Sequence, residues 1–298
     1  MRVLITNDDG VDAPGIWALY KEISTFADAL VVAPISERSA TGHAISVFNE
    51  ITAQRHIREE KDWGYGIDGT PADCVKMALT VLMKDSPPDL VISGINRGQN
   101  TGTSILYSGT VAAALEATMA GLPAIAVSLA VAFKPPVGLP GDDPMTLRKL
   151  GQDPRDYAYA ASVAARLARS VALRGLPRGI LLNVNVPAID QGLMQGVVIS
   201  KMGHSIFEDN FRMVNESAGV TTYQNVGDKL VYSDESDDWD DIVLKQNKTS
   251  ITPLHYDMTH HHFLDELKRW MAEEDAEASA TDEAVARQLS QDLNAEVQ

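Results

Sequence analysis

Five short apolar runs alternate with amphipathic segments along the first two thirds of the chain. The runs are rich in Val, Ile and Leu, and they are continuously apolar rather than alternating in polarity. This pattern is typical of strands that are buried on both faces of a parallel sheet. The predicted strands lie at residues 3–6, 30–33, 90–93, 124–128 and 180–186.

The segments between these runs carry helix signals. Pro14 begins one predicted helix, Thr70 caps a second that has an acid three residues later, and a third follows Gly109. An alanine-rich stretch over residues 156–173 predicts a fourth helix. Alternating strands and helices predict an α/β fold with a doubly wound, mostly parallel sheet and right-handed crossovers.

The pattern changes after residue 195. Residues 196–271 contain mixed strand-like pieces, which predict a smaller β-rich region with hairpins and a short helix at 259–271. The Pro- and Gly-rich segment 134–154 predicts a long surface loop. We therefore predict three parts: an α/β domain over 1–195, a β-rich region over 196–271, and an acidic tail over 272–298, disordered or loosely helical.

Acidic residues dominate the charge of this 298-residue chain, whose formal net charge is −16. Such a charge argues against broad binding to duplex nucleic acid or to an anionic membrane, since both need a basic surface. Residues 272–298 contribute −7 and residues 233–244 contribute −6, which leaves −3 for the remainder. We expect both acidic segments to be solvated appendages, so the nearly neutral remainder can accept an anionic substrate beside a bound cation.

Two further classes of protein are excluded by simple features. Cys74 is the single cysteine, so no disulfide framework holds the fold together. The chain opens without a secretory signal pattern, and its longest apolar run, residues 122–133, is too short to span a bilayer. We expect a cytoplasmic protein.

Polar residues follow the predicted strands at their carboxyl ends, where open α/β sheets bind ligands. Asp8 and Asp9 follow the first strand, residues 36–39 follow the second, and Asn96 follows the third. Two adjacent carboxylates repel each other unless a cation lies between them, and carboxylate, amide and hydroxyl oxygens suit Mg²⁺ or Mn²⁺. The alternative is a simple polar turn over residues 7–10, and these residues alone favour neither.

Ser108, Gly109 and Thr110 precede an alanine-rich helix. Free N–H groups at a helix start, a glycine that permits close approach and two hydroxyls together form an anion-binding site. The alternative is an N-cap with no ligand. Beside a metal site we favour the anion site, because a metal and an anion cradle are the components of phosphoryl transfer.

Two other motifs are interpreted as unrelated to catalysis. Residues 64–69 match G-x-G-x-x-G, but charged residues precede them, so we predict a glycine-rich turn and no dinucleotide site. Residues 260–262 are three consecutive histidines, which point in different directions on a helix, so we predict a partly exposed run.

Five motifs, in order, resemble those of the SurE (survival protein E) nucleotidases. The resemblance covers most of residues 1–130 and returns in patches to about residue 259. The motifs are Asn-Asp-Asp-Gly at 7–10, Gly-Thr-Pro-Ala-Asp-Cys-Val at 69–75, Ser-Gly-Ile-Asn at 93–96 with Gly98 and Asn100, Tyr-Ser-Gly-Thr-Val-Ala-Ala at 107–113, and Ser-Ile-Thr-Pro-Leu at 250–254.

The resemblance implies a metal-dependent phosphatase that acts on nucleoside 5′- and 3′-monophosphates. It implies a Rossmann-like domain and a homodimer or homotetramer built partly by exchange of the C-terminal region. By motif position, one divalent ion, Mg²⁺ or Mn²⁺, is held by Asp8, Asp9, Ser39 and Asn96, and the phosphate group is bound by Asn100, Ser108, Gly109 and Thr110.

We expect Asp8, Asp9 and Asn96 to carry the catalysis, with Asp8 as the group that orients or deprotonates water. Direct attack by the Asp8 carboxylate is the other possibility. Activity on polyphosphate is left open. The alternative function is a regulatory protein that binds a nucleotide or phosphate without turning it over, although such a protein needs no pair of aspartates.

Overall fold

The structure is a computed structural model that describes residues 1–131, 151–226, 230–232 and 236–275. Most of the predicted loop at 134–154 and most of the predicted tail at 272–298 lie outside the described residues. The chain forms two units, Met1–Tyr256 and Asp257–Gln298, which are described separately.

A nine-stranded sheet forms the centre of the first unit. In chain order the described strands are β1 (Arg2–Thr6), β2 (Asp28–Pro34), β3 (Ala53–Arg58), β4 (Lys61–Ile67), β5 (Leu90–Arg97), β6 (Ala124–Ala130), β7 (Ile180–Pro187), β8 (Val197–Ile199), β9 (Ile206–Phe207), β10 (Phe211–Ser217), β11 (Val220–Asn225), β12 (Leu230–Val231) and β13 (Thr249–His255).

The order in the large sheet is β3-β4-β2-β1-β5-β6-β7-β13-β8. From β4 to β7 the pairing is parallel throughout, whereas β3 pairs with β4 and β13 pairs with β7 in the antiparallel sense. The strands β9 to β12 form two small antiparallel sheets. A mostly parallel sheet with a C-terminal hairpin region is therefore confirmed, and the division at residue 195 stays a prediction.

Helices cover both faces of the sheet, as a doubly wound fold requires. The helices are α1 (Pro14–Ile23), α2 (Pro71–Met77), α3 (Gly109–Met119), α4 (Ala158–Arg174) and α5 (Asp240–Lys245). One apolar cluster packs α1 and α4 on one face, and a second packs α2 and α3 on the other. Ile5 belongs to the first cluster and its neighbour Leu4 to the second, because successive strand residues point to opposite faces. Burying each such side chain contributes ~1.5–3 kcal/mol.

The four predicted helices of the α/β region are confirmed, and the start of α2 shows why. Thr70 accepts a hydrogen bond from the backbone N–H of Asp73 at 3.1 Å, and the Asp73 carboxylate accepts one from the N–H of Thr70 at 2.9 Å. This capping box satisfies two N–H groups that a helix start otherwise leaves unpaired.

Two expectations about individual segments are corrected. The predicted glycine-rich turn begins inside β4, where an added Cβ on Gly64 would lie 2.0 Å from the carbonyl oxygen of Val31 on the neighbouring strand. Glycine at this position therefore permits close strand approach rather than a turn. The strand predicted at 90–93 continues to Arg97, so Asn96 lies within β5 and not in a loop after it.

The second unit contains a short 3-10 turn, His261–Phe263, followed by a helix over the described residues 264–275. The helix predicted at 259–271 therefore begins later and extends further than expected. The histidines at 260–262 are exposed, as predicted. Within the parts of the chain that the structure describes, no helix has the length and apolar character needed to cross a membrane.

Candidate active site

A cavity of about 780 Å³ lies at the carboxyl ends of β1, β2 and β5. Five of the eight residues that the sequence assigns to the site line it: Asp8, Ser39, Asn96, Asn100 and Ser108. Asp9 and Gly109 are each next to a lining residue in the chain, and Thr110 follows Gly109, but none of the three is among the residues that line the cavity. The β-rich region contributes to the wall through Ile206, Asp209 and Asn225, which sequence reasoning did not single out.

The turn after β1 fixes the two aspartates. The Asn7 side chain donates to the carbonyl of Gly10 at 2.9 Å and accepts from the Gly10 N–H at 3.2 Å. Gly10 has a φ of +106°, a conformation that side chains rarely adopt. A polar turn is therefore present, and it holds Asp8 and Asp9 in place at the end of the sheet.

Asp8 is buried against the first turn of α3. The Thr110 hydroxyl donates a 2.5 Å hydrogen bond to Oδ1 of Asp8. An added Cβ on Gly109 would lie 2.8 Å from the Asp8 Cβ, so glycine permits this close approach. Ser108 caps α3, because its hydroxyl accepts the Val111 N–H at 3.0 Å. Ser108 is therefore an N-cap, and the additional use of this helix start as an anion site stays a prediction.

The two aspartates both have raised pKa values. Burial raises the pKa of Asp8, and the hydrogen bond from Thr110 opposes that rise. Burial, followed by the charge of Asp8, raises the pKa of Asp9 to about 7, although its carboxylate accepts the Arg97 N–H at 3.0 Å. Two adjacent carboxylates, one buried and one partly buried, are stable as anions only when positive charge compensates them.

The oxygen ligands at this edge fit a hard divalent cation. Among the described residues, no group of three or more His, Cys, Asp and Glu is arranged to hold a metal ion, so an ion here needs amide and hydroxyl oxygens as well. The Asn96 nitrogen donates to the carbonyl of Gly98 at 2.9 Å, which leaves its Oδ1 for a ligand. The Ser39 hydroxyl donates to Glu37 at 2.6 Å, so its oxygen lone pairs are free to bind a cation. An all-oxygen set suits Mg²⁺ or Mn²⁺ rather than zinc.

Polar residues in the interior of the sheet support Asn100. Its backbone N–H donates to Oδ1 of Asn185 at 2.8 Å, and its side chain donates to the Ser128 hydroxyl at 2.8 Å. Asn183 and Asn185 both donate to its carbonyl. Sequence reasoning missed these residues, although two asparagines at alternate positions of the apolar strand 180–186 are a detectable signal.

A second missed residue is Asp240, which lies within the acidic segment 233–244. Its carboxylate is buried and accepts the N–H groups of Gly102 at 3.1 Å and Gly203 at 2.9 Å. Burial raises the pKa of Asp240 to about 6. The expectation that this segment is a solvated appendage is therefore wrong for Asp240 and Asp241, which are both fully buried. Asp240 instead links Gly102, which precedes the cavity-lining Thr103, to Gly203 in the β-rich region.

Comparison with known proteins gives a consistent result. A family model described as Survival protein SurE matches residues 3–209. A protein of Carboxydothermus hydrogenoformans named 5′-nucleotidase SurE is 39% identical over 275 residues, which are 91% of this chain and 96% of that protein. A protein of the same name from Geobacter metallireducens is 40% identical over 271 residues, 91% of this chain and 97% of its own length.

A solved structure extends the likeness to the fold. The crystal structure of a SurE protein from Aquifex aeolicus has a TM-score of 0.71 with this chain and is 28% identical to it. The match covers 91% of this chain and all of that one. About nine tenths of this chain therefore has a counterpart in an experimental structure.

Proposed function

The chain belongs to the SurE family, and on this premise we propose that it is a phosphoric monoester hydrolase: a metal-dependent nucleotidase that releases phosphate from nucleoside 5′- and 3′-monophosphates. One observation carries the proposal. The buried Asp8 lines a cavity together with Asn96, Asn100 and Ser108, and its partly buried neighbour Asp9 follows it in the chain. The relatives named 5′-nucleotidase SurE support the reaction class.

The metal ligands follow from the oxygen set at the cavity. Asp8, Asp9, Ser39 and Asn96 would hold one Mg²⁺ or Mn²⁺ ion, which, when bound, supplies positive charge that offsets the charge of the phosphate group. The raised pKa values of both aspartates support this assignment, since two adjacent acids that resist ionisation gain most from an added cation. The Asn96 hydrogen bond to Gly98 holds the carboxamide in one orientation.

Asp8 is the residue we assign to the attacking water. Burial raises the pKa of Asp8 toward neutral pH, and a general base is most effective when its pKa is close to the pH of the reaction. The Thr110 hydrogen bond occupies Oδ1, so Oδ2 is the oxygen left to orient or deprotonate water. Direct attack by the same carboxylate on phosphorus is the alternative that the side chain also permits.

The phosphate group would be bound opposite these acids. Asn100 and Ser108 line the cavity, and the N–H groups of Gly109 and Thr110 begin α3, whose 11 residues direct a positive dipole end toward this edge. Asn100 and Ser108 are neutral donors, so they stabilise charge on phosphoryl oxygens without adding to the charge repulsion of the acids.

We further propose a cytoplasmic homodimer or homotetramer that binds neither duplex nucleic acid nor a membrane. Exchange of the C-terminal region between copies would build part of the assembly. The hairpin β10–β11 supports this, because every residue of β10 is exposed and its apolar side chains, among them Phe211 and Met213, are left without a covering surface in the single chain. The mass of the protein in solution tests the oligomeric state.

A phosphate-release assay on the full chain tests the reaction. We expect release from nucleoside monophosphates with Mg²⁺ or Mn²⁺, loss of release with EDTA, and recovery when Mn²⁺ is restored. Comparing 5′- with 3′-monophosphates and with polyphosphate then defines the substrate range. Binding of a nucleotide without any phosphate release, under every metal condition, would instead support the regulatory alternative.

A further inference from the structure

The backbone of Asn100 is held by side chains and not by the backbone of a neighbouring strand. Asn100 lies in a segment without regular secondary structure after β5, and it is buried. Its N–H donates to Oδ1 of Asn185 at 2.8 Å. Its carbonyl accepts from the side chains of Asn183 at 2.8 Å and Asn185 at 2.9 Å. Both hydrogen-bonding groups of this residue's backbone are therefore satisfied by two side chains of β7.

Placing polar side chains inside a sheet costs free energy, so what these side chains bind is informative. Asn183 and Asn185 are completely buried at the carboxyl end of β7, on the strand face that Leu181 occupies further back with an apolar side chain. Burying a carboxamide costs free energy unless its donors and acceptors are paired. An apolar pair at these positions would pack in the sheet without that cost, but it would leave the Asn100 backbone unpaired.

A third buried residue orients the Asn100 side chain itself. Ser128 of β6, which pairs with Asn185 in the sheet, accepts a hydrogen bond from the Asn100 side-chain nitrogen at 2.8 Å. A carboxamide nitrogen carries two N–H groups, so one remains for a ligand after this bond. Because Asn100 lines the cavity, the backbone and the side chain of a wall residue are both fixed before any ligand binds.

We infer that Asn183, Asn185 and Ser128 are positioning residues that fix the Asn100 carboxamide for binding the phosphate group of the substrate. The inference rests on the proposed function, because it takes phosphate as the ligand of Asn100. The three side chains act only through Asn100. Their contribution is preorganisation: a donor that is already held in place loses less conformational freedom when the phosphate binds.

The test compares Asn185→Ala and Ser128→Ala with a matched control, Ser200→Ala. The Ser200 hydroxyl bonds to the Thr252 hydroxyl at 2.8 Å and is buried, and Ser200 follows β8 at the edge of the sheet. We expect KM and the inhibition constant of inorganic phosphate to rise about tenfold in the first two variants, the effect of weakening one hydrogen bond to a charged group. The control should lower the melting temperature comparably and leave both constants unchanged.

A double substitution separates positioning from a merely structural role. In an Asn100→Ala background, Asn185→Ala should change the phosphate inhibition constant no further, because its effect passes through Asn100. Lower melting temperatures with unchanged KM and inhibition constants in both single variants would overturn the inference. If Asn185→Ala fails to fold, Ser128→Ala still decides the test, because this variant removes only a single oxygen atom.

Failure of the proposed function has a different signature. If the unsubstituted protein released no phosphate, calorimetric titration with inorganic phosphate would still measure the binding that the inference concerns. Tight binding to the unsubstituted protein with weaker binding to Ser128→Ala would support positioning without catalysis, whereas equal binding to both proteins would overturn it.

Discussion

The Thr110 hydroxyl donates a 2.5 Å hydrogen bond to Oδ1 of Asp8, which joins the start of α3 to the turn after β1. The two residues are far apart in the sequence, so their contact depends on the packing of α3 against the sheet. The bond lowers the pKa of Asp8 while burial raises it. Thr110, which motif position assigns to phosphate binding, therefore also controls the aspartate on which the proposed reaction depends.

Removing the charge of Asp8 should abolish turnover and preserve the fold. Asp8→Asn keeps the size of the side chain but removes the carboxylate that is proposed to act on water, so we expect at least a ~100-fold loss of phosphate release with Mg²⁺ or Mn²⁺ present. Circular dichroism and the melting temperature check the fold. Asp12→Asn, an exposed aspartate just beyond the same turn, serves as the control. Near-normal turnover in Asp8→Asn would remove Asp8 from the mechanism.

Removing the Thr110 hydroxyl should shift the pH profile. The hydrogen bond lowers the pKa of Asp8, so Thr110→Val raises that pKa further. If the Asp8 carboxylate acts as the base, the acidic limb of kcat then moves to higher pH. Thr118→Val on the same helix is the matched control, because the Thr118 hydroxyl bonds only to the Ala114 carbonyl within α3. An unchanged acidic limb in Thr110→Val would show that Asp8 does not set it.

The raised pKa of Asp9 predicts a stability that depends on both pH and metal. Its pKa is about 7 in the folded protein against 3.8 for an ordinary aspartate. Between these values the folded state binds more protons than the unfolded state, so the contribution of Asp9 to the free energy of unfolding falls as the pH rises. Metal-free protein should therefore melt at progressively lower temperatures across this interval, and Asp9→Asn should flatten the dependence.

Added metal should reverse this loss. Mn²⁺ binds the ionised acids of the folded state, so we expect a larger rise in melting temperature at about pH 8 than at about pH 6. Melting curves with EDTA and with Mn²⁺, for the unsubstituted protein and for Asp9→Asn, provide the measurement. An equal rise from Mn²⁺ in the two proteins would contradict a role for Asp9 in binding the ion.

A side chain at residue 109 should displace Asp8. The Cβ of Gly109→Ala would lie 2.8 Å from the Asp8 Cβ and 3.1 Å from Pro71, so the helix start or the turn after β1 must shift. We expect a stability loss of ~1–3 kcal/mol and a fall in kcat. Gly192→Ala, where an added Cβ meets no atom within 4 Å, is the control. Unfolding by urea together with steady-state kinetics checks both effects.

Local pattern predicted the sheet because its central strands are buried on both faces. Leu4 packs in one apolar cluster and Ile5 packs in the other, so the apolar run at 3–6 is continuous and easily recognised. The strand β4 was missed because it lies beside the exposed strand β3 near the sheet edge and begins with charged residues. Its Gly64 permits the close approach of Val31, a contact that no local pattern encodes.

The site residues that could be predicted from the sequence lie close to the end of a strand or to the start of a helix. Asp8, Ser39 and Asn100 follow β1, β2 and β5. Asn96 lies near the end of β5 and Ser108 precedes α3, and all five residues line the cavity. Asn185 is separated from Asn100 by 85 positions, and Asp240 from Gly102 by 138. Such partners depend on the tertiary arrangement. The acidic run 233–244 gives no local sign that the fold buries Asp240 and Asp241.

The hydrogen bond between Gly102 and the Asp240 carboxylate can form only late in synthesis, because 138 positions separate the two residues. Synthesis completes β1, α3 and the proposed catalytic aspartates long before residue 240 leaves the ribosome. Until then Gly102 lacks its buried acceptor, and β13 has not yet entered its place between β7 and β8. A nascent chain therefore holds the acids of the site but not its finished wall. We expect the proposed site to be complete only after Asp240 has been synthesised and has bonded to Gly102, so a chain that ends before residue 240 should bind substrate poorly.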